Sequence, residues 1–136
     1  MQSILADAGP LIALFRAKDA HHQRSRVFID GNTRPLVTTW AVLTEVCFFL
    51  NAKGKSHLLT WVRRGGLRLH HPEDSDLPGI QTLIEKYGER IDLADASLVW
   101  LGDKLKTSDI ITIDRDDFSV YRGTQGKPFR NLLQLT

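Results

Sequence analysis

Short apolar segments alternate with longer helical segments along most of the 136 residues. Residues 110–113 (Ile-Ile-Thr-Ile) form a nearly continuous β-branched run, which is typical of a strand buried on both faces. Strands that alternate with helices favour a parallel sheet between two layers of helices. We therefore predict an α/β fold in which residues 1–136 form a single three-layer α/β/α domain around a mainly parallel central sheet.

Turn and capping residues predict where the elements begin and end. Pro10 suits the first turn of a helix over residues 11–18. Gly54 is expected to separate the helix that begins at Trp40 from the helix that follows it. The other predicted elements are strands at residues 3–6, 35–38, 67–69 and 130–135, and helices at residues 20–29 (capped by Asp19), 76–87 (ended by Gly88) and 93–106 (capped by Asp92).

The composition excludes several classes of protein. A formal net charge of +2 does not by itself identify a nucleic-acid-binding protein. The single cysteine, Cys47, excludes an internal disulfide and a cysteine-based zinc site. The apolar runs are shorter than the roughly 20 residues of a membrane span, and no signal-peptide pattern precedes the first strand. We therefore expect a cytoplasmic protein without membrane association.

Two carboxylates interrupt segments that are otherwise apolar. Glu45 is the only charged residue of the helix over residues 40–50, and Asp7 is the only one in residues 1–15. A helix that is apolar nearly all round is expected to be buried, and an unpaired buried carboxylate costs several kcal/mol. Each acid therefore needs a partner. A salt bridge to an arginine from another element, or a position at the exposed edge of the helix, would also explain Glu45. A helix N-cap role would also explain Asp7.

Two further aspartates belong with this pair. Asp95 lies between two alanines, three residues after Asp92, so both carboxylates project from one helical face and repel each other unless a cation lies near. Asp92 is equally well explained as a helix cap. Asp114 directly follows the predicted strand of residues 110–113, and the carboxyl ends of parallel strands form the functional edge of such a sheet. Asp116 and Asp117 are expected in a turn after that strand.

A hard divalent cation is the simplest common partner for these acids. Mg²⁺ takes oxygen ligands and usually keeps several waters. Two such ions could activate a water and stabilise the leaving oxygen of a phosphodiester. The histidines lie outside the acidic set and are expected to be structural or surface residues: His21, His22, His57, His70 and His71.

The order and spacing of these motifs resemble the PIN-domain family and, within it, the VapC-type toxins of bacterial toxin–antitoxin pairs. The resemblance covers essentially the whole chain. The segments that carry it are residues 7–14 (Asp-Ala-Gly-Pro-Leu-Ile-Ala-Leu), 43–46 (Leu-Thr-Glu-Val), 92–96 (Asp-Leu-Ala-Asp-Ala) and 111–118 (Ile-Thr-Ile-Asp-Arg-Asp-Asp-Phe).

The resemblance implies a Mg²⁺- or Mn²⁺-dependent ribonuclease that has an RNA substrate, forms a homodimer and has a cognate antitoxin whose C-terminal segment blocks the site. Many relatives carry Thr or Ser and then Asn or Ser after the first aspartate. Here Ala8 and Gly9 stand at those positions, which removes a hydrogen bond expected near the site. The residues implied as catalytic and metal-binding are Asp7, Glu45, Asp95 and Asp114, with Asp92, Asp117 and Thr112 as secondary residues of the site.

Arginines at the rim of the crevice would position the phosphate backbone, and Arg16, Arg115 and Arg122 are the candidates. Two other functions are compatible with the sequence. One is a metal-dependent phosphatase acting on a small substrate, although the Asp-x-Asp pattern expected after the first strand is absent, because Gly9 stands two residues after Asp7. The other is a non-catalytic RNA-binding or scaffold module in which the carboxylates form only salt bridges.

Overall fold

The computed structural model describes residues 2–133, apart from the side chain of Arg115. Within them, five short strands alternate with seven α-helices. The strands are β1 (Ile4–Ala6), β2 (Leu36–Thr39), β3 (Arg68–His70), β4 (Asp109–Ile111) and β5 (Arg130–Asn131). The helices are α1 (Ala8–Leu14), α2 (His22–Gly31), α3 (Trp40–Phe48), α4 (Ala52–Arg63), α5 (Leu77–Tyr87), α6 (Leu93–Leu105) and α7 (Arg115–Val120).

The five strands form one sheet in the order β3-β2-β1-β4-β5, and every described pair is parallel. The chain builds outward from β1 through β2 to β3, and then returns to the other side of β1 to add β4 and β5. The order therefore reverses between β1 and β4. In open α/β sheets this reversal opens a crevice at the carboxyl ends of the two strands, where ligands bind.

The centre of the sheet is the core of the protein. Every residue of β1, β2 and β4 is buried, and Leu5 and Ile110, which are register partners, are wholly inaccessible. Helices flank this sheet, and α6 is the most deeply buried of them, with seven consecutive buried residues from Ala96 to Gly102. The predicted three-layer α/β/α architecture with a parallel sheet is confirmed.

The buried carboxylate of Asp109 forms hydrogen bonds that connect the amino ends of neighbouring strands. Asp109 accepts hydrogen bonds from Arg34 Nη2 at 2.7 Å and from Arg130 Nε at 2.9 Å. Burial alone would raise the pKa of Asp109, but the hydrogen bonds from Arg130 and Arg34 outweigh it and lower that pKa. This cluster joins β4 to β5 and to the segment before β2, at the edge of the sheet opposite the crevice.

The predicted break at Gly54 is wrong. Helix α4 begins two residues earlier, and the side chain of Asn51 caps it by accepting a hydrogen bond from Gly54 N at 2.8 Å. The glycine therefore lies in the first turn of α4. An asparagine cap specifies a helix start more strongly than a glycine specifies a break.

The expectation that α3 is a buried helix is also wrong. It buries Val42, Leu43 and Val46, but Trp40 is 55% exposed and Phe48 is 85% exposed. An apolar helix is buried on all sides only if other elements pack against each of its faces. No element among residues 2–133 packs against the outer face of α3.

Four other boundaries differ from the predicted ones. Helix α1 begins at Ala8, because Asp7 caps its N-terminus, and it ends at Leu14. Asp19 accepts a hydrogen bond from His21 N at 2.8 Å and so stabilises the turn before α2 instead of capping that helix. The predicted turn after Asp114 is the helix α7, and β4 ends at Ile111. Of the predicted strand over residues 130–135, only β5 is observed, and residues 134–135 lie outside the described part.

No helix in the described part of the chain is both long enough and apolar enough to span a lipid bilayer.

Candidate functional site

A cleft of about 450 Å³ lies at the carboxyl ends of β1 and β4. The structure brings all four predicted catalytic acids together in this cleft, along with Asp92 and Asp117. The side chains that line it are Asp7, Ala8, Gly9, Ile12, Glu45, Phe49, Asp92, Asp95, Ile113, Asp114 and Asp117. No lysine, arginine or histidine is among these described residues, so the lining is strongly acidic.

Asp7 is the deepest acid of the cleft, with only 8% of its surface exposed. Its Oδ1 accepts a hydrogen bond from Ala8 N at 2.8 Å, and its Oδ2 accepts one from Thr112 Oγ1 at 2.7 Å. Burial raises the pKa of Asp7, and the two hydrogen bonds only partly oppose that rise. Asp7 is therefore the N-cap of α1, the alternative role considered for it, while it also lines the cleft.

The two small residues after Asp7 have a steric explanation. A β-carbon at Gly9 would lie 3.1 Å from Cδ1 of Ile113, so a larger side chain would crowd the loop after β4. Ala8 is buried as well. The hydrogen bonds that hold Asp7 come instead from Thr112 and from the backbone of α1.

Thr112 links the acids that follow β1 and β4. Its side chain is buried, donates to Asp7 and accepts a hydrogen bond from Asp114 N at 3.0 Å. Its backbone is held by Asn131 of β5, which accepts from Thr112 N at 3.1 Å and donates to Thr112 O at 3.0 Å. Sequence reasoning placed Thr112 beside Asp114 but missed Asn131, because a single asparagine near the end of the chain has no distinctive pattern.

Glu45 projects from α3 into the same cleft and is half-buried. Burial raises its pKa, and the negative charges of Asp92 and Asp7 raise it further. One alternative explanation, a salt bridge to an arginine, is not found within residues 2–133. The other, a position at the exposed edge of the helix, agrees with the partial burial of Glu45. Glu45 is thus a carboxylate with acidic neighbours and no cationic partner in the described structure.

Asp95 is oriented by a buried tyrosine that sequence reasoning missed. Tyr121 Oη lies 3.3 Å from Asp95 Oδ2 and 3.1 Å from the carbonyl oxygen of Arg90, so its proton can be shared between them. The Tyr121 ring packs edge-on against Tyr87 and Phe118. Burial, together with the charges of Asp7 and Asp92, raises the pKa of Asp95 to about 8. Nothing near Tyr121 in the sequence indicates this contact, because 26 residues separate it from Asp95.

The remaining acids lie nearer the mouth of the cleft. Asp114 is exposed and caps α7 through Asp117 N at 3.0 Å, and Asp92 caps α6 through Asp95 N at 2.8 Å. Burial, a hydrogen bond with Asp114 and the charge of Asp114 raise the pKa of Asp117 to about 6, and Arg90, 3.5 Å away, opposes that rise. Asp116 is exposed and does not line the cleft.

The two predicted arginines whose side chains are described, Arg16 and Arg122, do not line the cleft. Arg122 Nη1 instead donates to the carbonyl oxygens of Ser119, Val120 and Tyr121, so its guanidinium ends α7. Arg16 is exposed, outside the lining, and the side chain of Arg115 lies outside the described part.

The cleft suits a hard cation. The pKa of Asp7, Glu45, Asp95 and Asp117 is raised, which shows that mutual repulsion and burial are not balanced by cationic side chains. A divalent ion would relieve this repulsion, and carboxylate oxygens are the ligands that Mg²⁺ and Mn²⁺ prefer. In the described residues, however, no three Asp, Glu, His or Cys side chains converge into a ready-made metal cage. The donor set therefore fits an ion that keeps several water ligands.

Comparison with known proteins finds similarity to bacterial VapC proteins, although no family model matches the chain. It is 27% identical over 131 residues to Ribonuclease VapC26 of Mycobacterium tuberculosis (strain ATCC 25618 / H37Rv), across 93% of this chain and 97% of that protein. The crystal structure of M. tuberculosis VapC20, described as a Sarcin-Ricin loop cleaving toxin, matches with a TM-score of 0.76 and 19% identity over 84% of this chain and 92% of that one. FitAcB from Neisseria gonorrhoeae matches with a TM-score of 0.57 and 17% identity, over 85% and 90% of the two chains.

The parallel α/β/α fold of this chain is therefore the fold of the VapC20 structure. The sequence similarity to VapC26 extends over almost the whole of both proteins. The resemblance noted in the sequence is confirmed.

Proposed function

We propose that this protein is a Mg²⁺- or Mn²⁺-dependent endoribonuclease that hydrolyses phosphodiester bonds of RNA. The observation that carries the proposal is that Asp7, Glu45, Asp95 and Asp114 all line one cleft, and that its described lining has no cationic side chain. Its relative VapC26 is named a ribonuclease, and its structural neighbour VapC20 is described as a Sarcin-Ricin loop cleaving toxin.

The four acids would hold the metal, and Asp92 and Asp117 would add negative charge at the mouth. When bound, the ion supplies a Lewis acid that activates a water and neutralises charge on the leaving oxygen. The chain's own task is to orient the ligands. The hydroxyl of Thr112 and the backbone of Ala8 hold both oxygens of Asp7, and Tyr121 holds one oxygen of Asp95. Such fixed supports reduce the reorganisation that the reaction requires.

We further propose that the protein is the toxin of a toxin–antitoxin pair, acts in the cytoplasm, forms a homodimer and has a cognate antitoxin as its partner. The similarity to Ribonuclease VapC26 supports this role, as does the description of VapC20 as a toxin. Co-expression with the product of a neighbouring small gene would test it: growth arrest that the second protein relieves is the expected result.

Cleavage of single-stranded RNA by the full-length protein tests the enzymatic proposal. We expect cleavage with Mg²⁺ or Mn²⁺, none in EDTA, and a loss of at least roughly 100-fold in Asp7→Asn, because ligands matter more than the supporting groups that cost 10- to 100-fold. Asp116→Asn is the matched control, since it removes the same charge from an exposed position outside the cleft. Equal cleavage in EDTA, or an unaffected Asp7→Asn variant, would exclude a metal-dependent nuclease.

The same preparations separate the alternatives. Hydrolysis of p-nitrophenyl phosphate without RNA cleavage would support a small-substrate phosphatase. RNA binding with no hydrolysis of either substrate would support a non-catalytic module.

A further inference from the structure

Two adjacent phenylalanines lie exposed at the rim of the acidic cleft. Phe48 is 85% exposed and Phe49 is 49% exposed, and their ring centroids are 5.4 Å apart in an edge-to-face arrangement. Phe49 lines the cleft together with Glu45. Glu45 and Phe49 are four residues apart at the end of α3, so their side chains lie on the same face of the helix. The aromatic pair is therefore continuous with the site that holds the acids.

The chain immediately after this pair is basic. Residues 46–72 contain no Asp or Glu and five Lys or Arg, leaving thirteen Lys and Arg against sixteen Asp and Glu elsewhere in the chain. Lys53 and Lys55 are exposed in the first turn of α4, and neither lies within ion-pairing distance of a carboxylate in residues 2–133. Lys53 and Lys55 are the cations that follow the aromatic pair most closely in sequence, whereas Arg68 lies near Arg34 at the opposite edge of the sheet.

The combination of aromatic rings and lysines favours single-stranded nucleic acid as the occupant. An acidic cleft repels the phosphate backbone, so a polyanion needs cations beside the cleft. Unpaired bases stack on exposed aromatic rings, and a duplex hides those base faces. A purely apolar protein partner would gain nothing from Lys53 and Lys55, which follow the two phenylalanines in sequence and form no ion pair in the described structure.

We propose that Phe48 and Phe49 stack unpaired bases of single-stranded RNA beside the cleft, while Lys53 and Lys55 bind the adjoining phosphates. The proposal deepens, and rests on, the proposed ribonuclease function. It assigns substrate binding to residues outside the acidic set.

Fluorescence anisotropy with a short labelled single-stranded RNA and the full-length protein in EDTA measures this binding without cleavage. Phe49→Ala should weaken binding roughly 5- to 150-fold, which is the range for the loss of one stacked base. Phe49→Tyr keeps the ring and should bind like the wild type, whereas Phe49→Leu keeps only an apolar side chain and should resemble Phe49→Ala. Leu77→Ala is the matched control, because Leu77 is also 49% exposed but does not line the cleft.

The lysines are tested by the salt dependence of the same binding. Replacing Lys53 and Lys55 together with Gln should reduce the slope of log K against log salt concentration by about 1.4, because each contact with a single-stranded phosphate contributes about 0.7. Lys127→Gln, which removes an exposed lysine outside residues 46–72, should leave the slope unchanged.

Three results would overturn the proposal: wild-type affinity in Phe49→Ala, equal loss in Leu77→Ala, or duplex RNA that binds as tightly as the single strand. A change of oligomeric state by light scattering in Phe48→Ala, with RNA affinity intact, would assign the pair to a protein interface instead. Asp7→Asn separates the two proposals. If it cleaves like the wild type while Phe49→Ala loses RNA binding, the metal-nuclease function fails and the stacking surface stands.

Discussion

The hydroxyl of Thr112 provides the sharpest test of how the acidic cleft is organised. Thr112→Val replaces that hydroxyl with a methyl group of similar shape in a site that is 1% exposed. The change leaves Asp7 Oδ2 without the donor 2.7 Å away and Asp114 N without the acceptor 3.0 Å away. A hydrogen bond to a charged group contributes about 1.5–3 kcal/mol, so we expect the metal-free protein to lose about that much stability.

The same substitution should weaken the metal site. Groups that orient a ligand typically change metal affinity or activity by about 10- to 100-fold, so we expect weaker Mn²⁺ binding by calorimetry and slower RNA cleavage by that factor. Raising the Mn²⁺ concentration should recover part of the activity, which a loss of folded protein would not allow. Thr112→Ser is the matched control, because it keeps the hydroxyl.

Two results would refute this reasoning. One is unchanged Mn²⁺ affinity and cleavage in Thr112→Val. The other is a loss in Thr112→Ser as large as in the valine variant, since that would assign the effect to packing of the methyl group and not to the hydrogen bonds.

Three further predictions concern the supports of the site and of the sheet. Tyr121→Phe keeps the buried ring but removes the hydroxyl that contacts Asp95. The rate of RNA cleavage should therefore fall by about 10-fold, and the free energy of unfolding should fall by about 1 kcal/mol. An unchanged cleavage rate would show that Tyr121 has no role in the site. Asp109→Asn should lower the free energy of unfolding in urea by about 2 kcal/mol, because it weakens the charge-assisted hydrogen bonds from Arg34 and Arg130, and it should leave cleavage by the folded protein unchanged. Because the folded-state pKa of Asp109 is lowered, its stabilisation is present above the unfolded pKa of about 3.9 and is lost as the pH falls through the folded-state value. The stability difference between wild type and Asp109→Asn should therefore shrink in urea titrations below about pH 4, and a difference that persists in acid would contradict the assigned cause.

Local sequence signals were sufficient to predict the architecture of this protein and to single out two of its acids. The alternation of apolar strands and helices predicts the parallel α/β sheet, because each pattern reflects the period of its own backbone. Asp92 caps the start of α6 and Gly88 lies at the end of α5, as predicted, since the start and the end of a helix depend on the adjacent backbone. Asp7 and Glu45 stand out because a charge in an apolar segment needs a partner. The metal-binding roles of these acids stay a prediction.

Tertiary structure decided what covers each face and which distant groups hold the acids. The apolar composition of α3 predicted burial, yet Phe48 and Phe49 are exposed, because burial depends on a neighbouring element that composition does not specify. Thr112 and Asp7 are 105 residues apart, and only the parallel pairing of β1 with β4 places them within hydrogen-bonding distance. Asp7 and Glu45 were therefore predictable from their local sequence, and Asp95 and Asp114 mainly from the family resemblance. The geometry of all four depended on contacts between strands and helices that form only on folding.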